Sequence, residues 1–251
     1  MSANNGPLPD IVAEARRVLE AASEKDILVR LIGGLAVWEH TDPLHPALVR
    51  AYKDIDLATV KKQSRPVSEL MTGLGYEPAK EFNALNGSKR LLFYDVPNER
   101  QVDVFVGSFE MCHAIPITER LALEPETIPL AELLLTKLQV VELNEKDLRD
   151  MVALLHHHQV GESDDDTINS AFIASLTSQD WGLWRTVKMN LERLHQGVAG
   201  LGLSPDEQRD VLAKADALWA RIEREPKSGR WKMRDRIGDR KRWYEQPDEV
   251  A

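Results

Sequence analysis

The apolar pattern changes period part-way along the chain, and that change limits the possible folds more than any other feature. Up to Ile115 the apolar residues fall in short strand-length runs set between helical stretches. Asp10 to Ser23 carries Ile11, Ala15, Val18, Leu19 and Ala22 near helical spacing, with Asp10 placed as an N-cap. Ile27–Ile32 reads as a buried strand closed by a turn at Gly33-Gly34, and Leu35–His40 as a helix. Tyr52–Val60 reads as a second strand and Pro66–Leu74 as a helix. Arg90–Asp95 and Gln101–Gly107 read as a hairpin turned at Pro97-Asn98-Glu99. Beyond Ile115 the spacing is helical, over Leu130–Val141, Lys146–Gln159, Ser170–Gln196 and Pro205–Arg224. The order predicts an α+β domain over residues 1–120, a helical C-terminal domain over 121–225 and a basic tail over 226–251. The changeover falls near residues 115–128.

Composition narrows the class. With 251 residues and 43% hydrophobic content the chain can bury a core, which excludes wholesale disorder. No run approaches the ~18–20 apolar residues of a membrane span. Met1 to Asp10 lacks the basic and apolar regions of a signal peptide, and the lone Cys112 cannot form an internal disulfide. Together these predict a cytoplasmic protein without a membrane partner. The net charge of −9 opposes indiscriminate nucleic-acid binding.

Three features point to chemistry. Gly33-Gly34 lies between a strand and a helix, where glycine lets backbone N–H groups approach an anion and the helix N-terminus favours negative charge. Asp54 and Asp56 are i and i+2 in a predicted strand, so both carboxylates share one face and repel. A divalent cation resolves that conflict, and Mg²⁺ binds through a few carboxylates plus substrate phosphate oxygens. Asp103 is a third acid, among Val102, Val104, Phe105 and Val106, on the polar face of another strand. A glycine turn followed by three strand carboxylates meets the needs of two-metal nucleotide transfer.

The runs Ile32-Gly33-Gly34-Leu35-Ala36-Val37, Lys53-Asp54-Ile55-Asp56-Leu57 and Val102-Asp103-Val104 resemble the nucleotidyltransferase superfamily with the DNA polymerase β-like fold. The nearest resemblance is to its minimal, aminoglycoside-type and abortive-infection toxin-type branches. It covers residues 25–155 through Leu134-Leu135-Thr136-Lys137-Leu138 and Lys146-Asp147-Leu148-Arg149-Asp150. It implies a mixed β-sheet with flanking helices, Mg²⁺ or Mn²⁺, and a nucleoside triphosphate. It implies that Asp54, Asp56 and Asp103 are the catalytic and metal-holding set, with Asp103 taking the proton of the acceptor hydroxyl. Gly33, Gly34 and Lys137 would contact the nucleotide. The acceptor, whether RNA, small molecule or protein, stays open, as does the oligomeric state. The rival classes are a non-catalytic module of the same fold, such as a toxin–antitoxin component, and a toxin acting on RNA.

Other residues read more plainly. Lys53 points away from Asp54 as a surface cation, and Arg90 lines the acceptor side. His156-His157-His158 fans out by ~100° per residue and cannot face one ion, so it reads as a solvated helix end. Trp181, Trp184 and Cys112 read as core. Residues 221–242 hold ten basic and four acidic side chains, with Trp231 among them and Trp243 and Tyr244 just after. That composition suits either nucleic acid or the acidic body of the chain itself.

Overall fold

A computed structural model describes residues 6–246; the first five residues of the Met1–Asp10 segment and residues 247–251 of the basic tail lie outside the described residues. The chain divides into two units. The first takes the chain up to Glu39, Ala51–Glu110 and Pro116–Pro129; the second takes His40–Arg50, Met111–Ile115 and the chain from Leu130 onward. Among the described residues no helix is long and apolar enough to cross a membrane.

The first unit is built on a five-stranded mixed sheet, β1 (Val29–Ile32), β2 (Ile55–Thr59), β3 (Glu77–Pro78), β4 (Arg90–Asp95) and β5 (Arg100–Val106), in the order β1-β2-β5-β4-β3. β2 and β5 run parallel and every other neighbour is antiparallel. The centre of the sheet is therefore the pair that carries Asp56 and Asp103. Its helices are α1 (Ile11–Ser23), α2 (Gly33–His40), α3 (Ser64–Gly73) and α4 (Lys80–Asn86). Asp10 caps α1 by accepting from the Ala13 N–H at 2.8 Å. Glu14 of α1 is fully buried, and Arg17 compensates it with two bonds of 2.7 Å while the Tyr76 hydroxyl donates to it. The predicted hairpin forms, and Asp95 fixes its turn by pairing with Arg100 and accepting from Asn98. Two elements escape the sequence pattern. β3 is two residues ending in proline, and α4 buries no residue fully, so neither leaves an apolar period to read.

The short strands β6 (Ser108–Glu110) and β7 (Ala114–Pro116) follow. The second unit then holds α5 (Leu130–Leu138), α6 (Glu145–His157), α7 (Ser170–Gln179), α8 (Trp181–Gly197), α9 (Pro205–Arg224) and α10 (Gly229–Asp235). All nine residues of α5 are buried. Three expectations are corrected here. The half beyond Leu130 is not purely helical: β8 (Gln159–Gly161) and β9 (Thr167–Asn169) pair in parallel around the acidic run 164–166. The single helix expected over Ser170–Gln196 breaks at Asp180, whose carboxylate caps α8 by accepting from the Leu183 N–H at 3.1 Å. Of the three histidines expected at a solvated helix end, His157 is exposed and His156 half-buried, but His158 is buried with Nε2 at 2.9 Å from the His40 carbonyl and Nδ1 at 3.2 Å from Asp166.

The basic segment packs on its own unit. The Trp181 Nε1–H donates to Asp235 at 2.7 Å, Arg185 pairs with Asp239 at 3.1 Å, and the Trp243 Nε1–H donates to the Thr186 hydroxyl at 3.1 Å. Trp231 is buried edge-on to Trp184, with ring centroids 5.1 Å apart. Gly182 makes this possible, since a β-carbon there would stand 2.5 Å from the Trp243 carbonyl oxygen.

Candidate active site

The site grows from the middle of the sheet. β1 ends at Ile32 and α2 begins at once with Gly33, leaving no separate turn. Gly33 absorbs the reversal at φ +69°, a left-handed conformation that favours glycine. The absent side chain matters twice, because a β-carbon there would lie 2.2 Å from Asp56 Oδ2. The N-terminus of α2 thus sits against the Asp56 carboxylate, a favourable placement for negative charge. Gly34 follows as the second residue of the helix.

Asp54 is not inside β2, as the sequence suggests, but one residue before it. It is exposed, while Asp56 is half-buried. Asp56 and Asp103 are direct partners across the parallel β2–β5 pair, so their side chains share a sheet face. Asp103 is buried, with Oδ1 accepting from Arg90 Nε at 2.6 Å and Oδ2 from Gln101 Nε2 at 2.8 Å. Arg90 lies between the rings of Phe82 and Phe105, 5.8 and 5.4 Å from their centroids. The alternation of β5 puts Gln101 on the face of Asp103, and that spacing was a readable sign of the contact. Arg90 reaches Asp103 diagonally, because Leu92 is the residue opposite Asp103.

Lys137 stands in the second unit. It is buried, with Nζ 2.8 Å from Asp150 and 3.4 Å from Asp147. Asp150 also accepts two bonds of 2.8 Å from Arg50. Burial opposes the ammonium charge, but Asp150 and Asp147 outweigh it, and the Lys137 pKa stands above its ordinary value. Asp150 and Asp147 give this buried cation the partners it requires. Lys53 is exposed and Lys146 is exposed at the start of α6.

Among the described residues no three of His, Cys, Asp and Glu form a metal-holding group. Asp56 and Asp103 share one sheet face, Asp103 bonded to Arg90, and Asp54 stands exposed just before the strand. Two carboxylates suit Mg²⁺, which draws its remaining ligands from water and substrate phosphate.

No protein-family model matches the chain, and no curated protein matches it. Among solved structures it is similar to the antibiotic-resistance factor ANT(2'')-Ia, with TM-score 0.43 and 14% identity over 66% of this chain and 93% of that one. The crystal structure of ANT(2'')-Ia in complex with adenylyl-2''-tobramycin gives TM-score 0.43 and 15% identity over 66% and 98%. The STING-associated CdnE c-di-GMP synthase from Capnocytophaga granulosa gives TM-score 0.26 and 12% identity over 86% and 83%. Both proteins are nucleotidyltransferase-fold proteins. What this chain does is read from its own register and contacts.

Proposed function

We propose that the first unit is a metal-dependent nucleotidyltransferase that moves a nucleoside monophosphate from a triphosphate to a hydroxyl, releasing pyrophosphate. The observation that carries this reading is the placement of Asp56 beside Asp103 in register, with the glycine start of α2 against Asp56. Asp54 and Asp56 would hold the divalent cation, Mg²⁺ or Mn²⁺. When bound, the cation supplies charge stabilisation to the phosphate oxygens. Gly33 and Gly34 leave the backbone of α2 open to phosphate.

Asp103 accepts the proton of the attacking hydroxyl in this scheme. Arg90 and Gln101 each take one lone pair of its two oxygens. An ionised carboxylate has about four acceptor sites, so two remain for the hydroxyl. Arg90 and Gln101 are positioning residues, since they fix the carboxylate without touching the reacting atoms.

The test is pyrophosphate release and label transfer from each nucleoside triphosphate, with Mg²⁺ or Mn²⁺, to cellular RNA, small hydroxyl compounds and protein. Asp56→Asn is expected to lower transfer by about 100-fold or more while the melting temperature holds. A folded Asp56→Asn variant that turns over like the wild type overturns the assignment. Triphosphate binding with no turnover toward any acceptor makes the fold a binding module.

A further inference from the structure

The second unit carries a cleft of about 430 Å³, between the start of α8 and the segment from Arg230 to Glu245. That volume is in the range that holds a small organic ligand. The cleft lies within one unit and none of its lining residues belongs to the site proposed above.

Its chemistry is of two kinds. Arg230, Arg234, Lys241 and Arg242 line it, and none of the four pairs with a carboxylate among the described residues. Arg234 donates instead to the carbonyls of Gly238 and Lys241 at 2.7 and 2.6 Å, and Arg242 to Gln246 at 3.2 Å. Several other cations of the unit find acids, Arg149 with Glu145, Arg185 with Asp239, Lys214 with Asp210 and Arg221 with Glu162. Two acids line the cleft. Asp180 is engaged as the cap of α8, and Glu245 is exposed with its backbone N–H bonded to the Cys112 carbonyl. Among the described residues the four cations outnumber the two acids and none has a carboxylate partner, although Arg234 lies over the Trp181 ring at 4.4 Å and Arg242 over the Tyr244 ring at 4.6 Å.

Aromatic rings are the second kind. Trp243 and Tyr244 are half-exposed, 5.5 Å apart between centroids, and Trp181 meets Trp243 edge-on at 6.2 Å. Trp231, 8% exposed, also lines the cleft, and its Nε1–H is the buried side-chain polar atom without a hydrogen-bond partner among the described residues. A buried donor without an acceptor is costly and marks a place where an acceptor belongs.

We propose that this cleft binds a nucleotide unit, an unpaired base carrying phosphate. The half-exposed rings of Trp243 and Tyr244, each with an arginine over it, offer a base-stacking surface, and the cations without a carboxylate partner hold the phosphate. The unit comes from a free nucleotide or from a single strand, and the acidic remainder of the chain confines attraction to the cleft.

The test uses the full chain in EDTA, which keeps divalent-cation binding at Asp54 and Asp56 out of the measurement. Fluorescein-labelled hexauridylate is followed by anisotropy and uridine monophosphate by calorimetry, each at low and moderate salt. At least one is expected to bind, with affinity falling as salt rises. The Arg230→Glu, Lys241→Glu double variant, both exposed side chains, is expected to lose at least tenfold in affinity at unchanged melting temperature. Asp56→Asn is expected to bind like the wild type, which separates this site from the transfer site. Binding of hexauridylate alone identifies a strand as the source, and binding of the monophosphate identifies a free nucleotide. No binding of either, binding that survives the double variant, or binding only of a poly-glutamate peptide overturns the proposal.

Discussion

Gly33 combines a left-handed backbone with a gap that a β-carbon would close to 2.2 Å from Asp56 Oδ2. Gly33→Ala therefore strains the turn and pushes the carboxylate aside. The expected result is a loss of turnover of about tenfold or more with a stability cost of about 1–2 kcal/mol, read by pyrophosphate release and thermal unfolding. Turnover equal to wild type would separate Gly33 from the chemistry. Arg90 gives a second residue-scale expectation. Arg90→Ala leaves the buried Asp103 carboxylate without its charged donor, a change worth about 3 kcal/mol of stability. Arg90→Lys keeps the charge but loses the planar donor geometry, so it is expected to recover part of the stability and little of the turnover. Equal turnover in Arg90→Lys and the wild type would remove the positioning role. The types of residue in this site were legible from the sequence: a glycine turn, two acids two apart, and a third acid in an apolar strand. The partners were not. Arg90 meets Asp103 only through the β4–β5 register, and Lys137 meets Asp150 and Asp147 only through packing of α5 on α6.

Helix ends show which sequence signals act locally. Ser204 accepts from the Glu207 N–H while the Glu207 carboxylate accepts from the Ser204 N–H, so both members of the Ser-Pro-Asp-Glu start of α9 satisfy a backbone donor. The Ser204 bonds first, and His156 after them, hold the half-buried Glu207 carboxyl down at about 2. Ser204→Ala is expected to cost about 1 kcal/mol in denaturant unfolding with no change in slope. No loss would mean that His45 and His156, both 3.5 Å from Glu207, hold the helix start without the cap. This helix was readable at both ends because its signals lie within a few residues. The break between α7 and α8 was not, since apolar spacing continues through Asp180 and only the cap geometry stops the first helix. The contacts of the basic segment were hidden for a similar reason. Its composition is charged, but Trp231, Asp235 and Trp243 each have a partner on α8, far away in sequence.

Charge acts on the molecule as a whole, and the formal −9 counts as neutral histidines whose pKa values burial lowers. His113 is the clearest. It is 6% exposed, its N–H donates to Gln139 at 2.8 Å and its Nε2 lies 2.8 Å from the Thr186 hydroxyl. Burial holds its pKa below the ordinary histidine value, although Asp180 opposes the shift. His157 is also lowered, first by burial and then by His158 and His156. The sign follows from proton counting. Between the folded and unfolded pKa values the unfolded chain binds more protons, so stability rises with pH across that window. Lowering pH from 7.5 through the unfolded value, about 6.5, is therefore expected to lower stability until the folded pKa is passed. Carboxylates with depressed pKa contribute in a different window. Glu207 loses its contribution only as pH falls below the ordinary carboxyl range toward about 2. A loss of stability is therefore expected from His113 as pH falls from 7.5 through the unfolded value. Chemical unfolding at a series of pH values measures it. His113→Asn keeps a polar group beside Thr186 without the titration, and it is expected to flatten that part of the profile even if its absolute stability is lower. A His113→Asn profile as steep as the wild type would assign the slope to other groups.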